Sequence, residues 1–211
     1  MPSQTFFNLS EEKRERIIEA AIDEFANNSI KNASIARIIS EAGIPRGSFY
    51  QYFIDIKDLY KYIFTLTGEK KIQYLSHCFG NFNEMKVFQL IRELYVAGLR
   101  FAGEHPKMAR IGNNLLREED VLKEKIMGEL EERSQQFFED LLRKGQEQGE
   151  IDPGMDLKIG AFMFFALNIA ITNYFLAGSA KMEHVLENRQ EYLNLVDKML
   201  YILENGMKGG R

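Results

Sequence analysis

Residues 34–53 read SIARIISEAGIPRGSFYQYF, and the spacing predicts two short helices around a tight turn. Ser34 suits the first cap, because its side-chain oxygen can accept an amide hydrogen that the first helical turn leaves unpaired. Ile35, Ile38, Ile39 and Ala42 then recur at helical spacing. Gly43 stands where a helix ends with positive φ, a conformation that glycine adopts freely. Ile44 plugs the turn. Pro45 suits the first position of a second helix, where its missing N–H has no partner to lose. That helix, about 45–52, buries Phe49 and, one turn on, Phe53. Arg46, Gly47, Ser48, Tyr50, Gln51 and Tyr52 are left to face outward in varying degrees. A short helix presenting arginine, hydroxyl, amide and small groups is what contact with base edges in a DNA major groove requires.

The positions Ala42-Gly43-Ile44, Arg46-Gly47-Ser48-Phe49-Tyr50 and Tyr52-Phe53 resemble the helix-turn-helix of the TetR family of bacterial transcriptional regulators. So does the upstream Arg16-Ile17-Ile18 with Ala20, Ala21 and Phe25. The motif match spans roughly 16–59; the remainder agrees in length and helical pattern. The resemblance implies an all-α homodimer of about nine helices per chain. Its N-terminal three-helix head, 1–56, would bind double-stranded operator DNA, and its C-terminal domain, 57–211, would bind a ligand and dimerise. Carried onto this chain, the DNA-binding residues are Ser34, Arg37, Pro45, Arg46, Gly47, Ser48, Tyr50, Gln51, Tyr52 and Lys57. The usual role implied is a cytoplasmic repressor released from a palindromic operator by a small molecule. A module of the same fold that has lost DNA binding is the alternative; intact Arg46, Tyr50 and Tyr52 argue against it. Three positions depart from the family pattern: Ser29 for glycine, Ile39 for alanine, and Ile56 for a phosphate-binding lysine. Lys57 adjoins Ile56 but points about 100° away on a helix.

The whole chain sets bounds around that motif. Its 211 residues suffice for one or two domains with a buried core. A net charge of −4 argues against blanket nucleic-acid binding. Residues 31–57 nonetheless carry Lys31, Arg37, Arg46 and Lys57 against Glu41 and Asp55, a local positive face suited to steering toward DNA. Cys78 is the single cysteine, so an internal disulfide is excluded and a reducing compartment is expected. The N-terminal residues show no apolar run of signal-peptide length. Residues 159–180 carry no charge and are long enough to span a bilayer. Asn168, Thr172 and Asn173 near the middle favour instead a helix buried between protein surfaces.

Helical periodicity predicts further elements at about 10–27 (Ser10 as cap, ending at Asn27-Asn28 with an asparagine in the left-handed conformation), 56–79 (capped by Asp55), 84–103, 106–113, 118–148, 156–177 and 187–205. Breaks are expected at 80–83 and 149–154, and fraying at 206–211. The last helix carries two apolar stripes, Leu193-Val196-Leu200-Leu203 and Tyr192-Leu195-Met199-Ile202. A helix within a monomer needs one buried face, so two stripes imply a partner surface. The expected dimer interface is Phe175, Tyr192, Leu193, Val196, Leu200 and Leu203.

Enzyme chemistry finds little support. His77, His105 and His184 are scattered, adjacent His77 and Cys78 point in different directions, and phosphate-loop, nucleophile-elbow and metal motifs are missing. Acidic runs such as Glu118-Glu119-Asp120 are solvated helix faces. No catalytic residue, metal or cofactor is expected. A pocket for an apolar or amphipathic effector has better support. Phe101, Met108, Met127, Phe137, Phe138, Met163, Phe162 and Phe165 supply flexible and bulky apolar groups suited to an adaptable cavity. Asn168, Thr172, Asn173 and Tyr174 are polar groups within the least polar helix, costly to bury unpaired. They either bond across a dimer seam or hold the polar end of a ligand.

Overall fold

The computed structural model describes residues 1–79, 85–117, 121–176 and 182–206, and among these every regular element is helical. The expected break at 80–83, the acidic cluster at 118–120 and the tail from 207 lie outside the described residues, as do the side chains of His77 and Cys78. Eleven helices follow in order: α1 (Gln4–Phe7), α2 (Glu11–Asn27), α3 (Ile35–Ala42), α4 (Arg46–Tyr52), α5 (Ile56–Phe79), α6 (Val87–Glu104), α7 (Pro106–Arg117), α8 (Val121–Glu147), α9 (Leu157–Leu176), α10 (Met182–Glu187) and α11 (Arg189–Asn205).

The chain packs as two compact units, one made of Met1–Ile72 with His105–Ile126, the other of Gln73–Glu104 with Met127–Arg211. These packing units do not coincide with a division at residue 56, because α7 joins the first unit. Its Asn114 amide donates to the Ala26 carbonyl at 3.2 Å, Arg110 donates to Asn27 at 3.2 Å, and Lys107 pairs with Asp23.

The first unit is built on aromatic burial. Phe6, Phe25, Phe49, Phe53 and Tyr60 are fully enclosed, with Ile17, Ile38, Leu59, Ile63 and Ile111 between them. Phe6 belongs to α1, an element without any periodic signal in the sequence. Its ring meets Phe53 at 4.9 Å and Tyr62 edge-on at 5.4 Å. Two local expectations fail here. Ser10 occupies the cap position of α2, yet its side chain makes no cap hydrogen bond. Asn28 ends α2 in extended backbone (φ −131°, ψ 145°) rather than in the left-handed region, and its side-chain amide donates to the Glu24 carbonyl at 3.2 Å. Asp55 does cap α5: its carboxylate accepts the Asp58 amide at 2.8 Å.

The second unit closes over Leu90, Ile91, Leu141, Leu142, Ala161, Phe164, Ile171, Val185 and Val196. Gly145 of α8 is required by proximity, since a Cβ there would sit 2.8 Å from Ile151 and 2.9 Å from Val87. The single helix expected at 187–205 is preceded by a separate one, α10. Asn188 divides them by donating its side-chain amide to the His184 carbonyl at 2.9 Å. α9 is long and apolar enough to cross a membrane. It turns Ala161, Phe164 and Ile171 into this core, while Ile159, Phe162, Met163, Asn168, Asn173 and Tyr174 are exposed. Within one chain the helix is therefore buried along one side only.

Candidate nucleic-acid interface

The entry to α3 is held by a carboxylate that carries no motif in the sequence. Glu24, 6% exposed, accepts the Ser34 amide at 2.7 Å and the Arg37 guanidinium at 2.9 Å and 2.5 Å. The hydrogen bonds from Arg37 hold its carboxyl below the usual range, burial opposes them, and the Ser34 amide adds to the lowering. Arg37 also donates to the Asn32 carbonyl at 2.7 Å. Two of its three guanidinium nitrogens, Nε and Nη2, are thus engaged by the protein's own groups, while the side chain stays 55% exposed. Ser34 caps α3 as expected, accepting the Arg37 amide at 3.4 Å.

Gly43 ends α3 at φ 63°, ψ 40°, and the Ile44 amide reaches back to the Ile39 carbonyl at 3.0 Å. Only a residue free of a Cβ penalty turns the chain this sharply without strain. Ile38, Ala42 and Ile44 are buried beneath the turn. α4 begins at Arg46, with Pro45 in the cap position (φ −62°, ψ 144°) rather than in the first turn. Phe49 at 0% exposure and Phe53 at 2% anchor it. Pro45, Arg46, Gly47, Tyr50 and Gln51 lie on its open side, with Ser48 half-buried. A Cβ added at Gly47 would meet nothing within 4 Å, so the protein's own packing gives no reason for a glycine there.

Tyr52 departs from expectation. It is 3% exposed, its ring packs 6.1 Å from Phe6, and the Lys13 ammonium lies 5.9 Å over the ring. α1 brings that cluster inward, so Tyr50, not Tyr52, is the exposed aromatic of α4. A second feature without a sequence signal is the strap before α1. The Ser3 hydroxyl donates to the Gln51 carbonyl at 2.6 Å and the Ser3 amide to the Tyr52 carbonyl at 2.9 Å, satisfying carbonyls that the end of α4 leaves open. Lys57 is exposed on the first turn of α5 and Ile56 is half-buried.

Of the residues expected around an effector, Met108 belongs to the first unit and the others to the second. Phe101 is buried edge-on to Tyr74 at 5.6 Å. Phe138 stacks on Phe164 at 5.5 Å and meets Phe137 at 5.3 Å, as core. Met127 is half-buried and Phe165 buried. Phe162 (52% exposed) and Tyr174 (73%) stand on the open side of α9 with Asn168 and Asn173. The Thr172 hydroxyl, in contrast, lies 3.3 Å from that of Tyr192. A cleft of about 240 Å³ does exist in the second unit, lined by Val96, Leu99, Arg100, Gly103, Glu104, Arg189 and Leu193.

The interface expectation also needs correction. Tyr192, Val196 and Leu200 are enclosed in the core of their own unit, while Phe175, Leu193 and Leu203 are half-buried. Phe175 packs edge-on against Tyr192 at 5.3 Å. The uncovered apolar side chains of α11 are Tyr201 and Ile202, a different face of the same helix.

A glycine-turned pair of helices, anchored by aromatics and showing arginine, tyrosine and glutamine, defines a helix-turn-helix DNA-binding protein. The family model described as "Bacterial regulatory proteins, tetR family" matches residues 17–63, and that of the "Tetracyclin repressor-like, C-terminal domain" matches 85–208. The chain belongs to the TetR family of bacterial regulatory proteins. It is similar to the fatty acid metabolism regulator protein of Bacillus subtilis (strain 168), at 24% identity over 71% of this chain and 76% of that one. Among solved structures it resembles a TetR family transcriptional regulator from Chloroflexus aurantiacus J-10-FL, at 30% identity over the full length of both chains and a TM-score of 0.68. The transcriptional regulator FadR of Bacillus subtilis, solved in complex with stearoyl-CoA, shares the fold at 19% identity, with a TM-score of 0.67 over 92% of this chain and 99% of that one. The protein is a dimeric DNA-binding transcriptional regulator with a ligand-binding C-terminal domain, and not an enzyme.

Proposed function

We propose that this chain is a cytoplasmic repressor that holds a palindromic operator through two copies of α4 and leaves it when an acyl-chain amphipath binds the C-terminal domain. The observation that carries the DNA half is the polarity of α4: Phe49 and Phe53 fasten it to the protein, while Arg46, Gly47, Tyr50 and Gln51 stand free on one side. Residues 1–56 form the DNA-binding head in this reading, and 57–211 serve ligand and dimer. Arg46 meets a guanine edge, with Ser48 and Gln51 beside it, and Tyr50 and Lys57 touch phosphates. The acyl half is supported by the likeness to a fatty acid metabolism regulator and by the stearoyl-CoA complex of a structural relative. In each subunit, Phe162, Met163 and Tyr174 of α9 and Ile202 of α11 meet their copies across the dimer seam.

The test is selection of operator fragments from random DNA, then titration of the selected duplex with and without acyl compounds. Arg46→Ala should cost about 1–3 kcal/mol and relax preference at one position of each half-site. A protein that selects no sequence would be the ligand-binding module without DNA function. An operator that no acyl compound releases would remove the acyl half alone.

A further inference from the structure

We propose that the cleft between α6 and α11 binds a single-chain amphipath through an anionic head, carboxylate or phosphate, seated on Arg100 and Arg189. This deepens the effector reading above and rests on it. One wall of the cleft is a single face of α6, where Val96, Leu99, Arg100, Gly103 and Glu104 fall three and four residues apart. The other is the first turn of α11, with Arg189 and Leu193 four apart. The aliphatic lining is therefore Val96, Leu99 and Leu193, and the charged lining is two arginines and one glutamate.

The charges decide the ligand's sign. Glu104 is already engaged, accepting the Tyr74 hydroxyl at 2.5 Å. Arg100 and Arg189 are exposed, and neither forms an ion pair with a carboxylate among the described residues. The cleft is thus net positive on a chain whose net charge is −4. A guanidinium keeps its charge at all working pH values, and its planar fork matches carboxylate and phosphate oxygens. A cation would meet two like charges against one opposite. A neutral apolar molecule would cover two guanidiniums without supplying a counter-charge, at a desolvation cost. An alkyl chain ending in an anion satisfies both parts of the lining.

The experiment uses the full-length dimer and calorimetric titration with three ten-carbon probes: decanoate, decanoyl-CoA and decanol. At least one anionic probe should bind at least about ten-fold more tightly than decanol, and which of them does so tells carboxylate from phosphate recognition. Arg100→Ala and Arg189→Ala should each weaken that probe about ten- to hundred-fold, the range of one lost charge-assisted hydrogen bond. Helicity and melting should be unchanged, and Arg189→Lys should recover part of the affinity. Equal binding of decanol, wild-type affinity in both alanine variants, or no binding of either anion would overturn the proposal. Operator release is measured alongside. Release by a ligand at wild-type concentration in both variants would sink the cleft and leave the regulatory reading standing. Arginine-dependent binding without any release would sink the acyl switch and leave the cleft.

Discussion

Glu24 shows how a single buried charge can set a recognition element. Its carboxylate ties the end of α2 to the start of α3 through Ser34 and Arg37. Because its folded pKa lies below the ordinary carboxylate value, its contribution to stability is present above that ordinary value and is lost as pH falls through the depressed one. Glu24→Gln should destabilise the protein by about 1–2 kcal/mol at neutral pH and flatten its stability between neutral and acid pH. Urea titrations at several pH values check this, and an unchanged acid limb would show that the carboxylate is not the group concerned. Gly47 offers a complementary case. The protein leaves open space at its Cβ, so Gly47→Ala in the first turn of α4 should leave stability unchanged or raise it by at most about 0.5–1 kcal/mol, the gain seen in helix interiors. If DNA comes close to the backbone there, operator affinity should nevertheless fall by a factor on the order of ten. Full affinity in that variant would put Gly47 outside the contact surface. The sequence pointed to Gly43, Ser34 and Phe49 because caps, left-handed turns and i,i+4 pairs are local signals. It could not show that Arg37 pairs with Glu24, thirteen residues away, since the type of a charged residue does not name its partner.

At the scale of the element, α4 is seven residues long and too short to persist alone. Tertiary contacts hold it: Phe49 and Phe53 from within, Ser3 at its last carbonyls, and Phe6 against its aromatic end. Phe6→Ala should therefore cost about 3–5 kcal/mol, as for other fully enclosed aromatics, and should impair operator binding at temperatures where the wild type still binds. Thermal unfolding followed by circular dichroism gives the stability, and binding below and above the variant's melting range gives the consequence. A small stability loss would mean that α1 is peripheral. Nothing in the sequence announced α1, because four residues contain barely one helical turn and no period. The same limit explains α10, which an unbroken helical pattern would absorb. Tyr52 was legible as an aromatic but not in its direction, since its burial depends on α1.

For the whole molecule, the phase of α11 decides how dimerisation can be tested. Both apolar stripes of this helix share one period, so sequence spacing alone cannot say which faces the subunit core. In the structure Tyr192, Val196 and Leu200 face it, while Tyr201 and Ile202 are exposed, as are Phe162 and Tyr174 of α9. A charge at Leu200, 5% exposed, would be buried without a partner and should unfold the second unit, making loss of the dimer uninformative. A charge at Phe162 or Ile202 stays in water in a single chain and is desolvated only if that surface meets its copy. Phe162→Glu combined with Ile202→Glu should thus keep helicity and give a monomer in sedimentation. Two heads must meet half-sites about one helical turn apart, or a multiple of it, on one face of the duplex. Specific operator binding should fall with the dimer, leaving only weak, strongly salt-dependent attraction to any DNA. A folded dimer that still binds its operator would place the seam on another surface. A folded monomer with full operator affinity would instead show that one α4 suffices, and that the pairing of heads has no part in recognition.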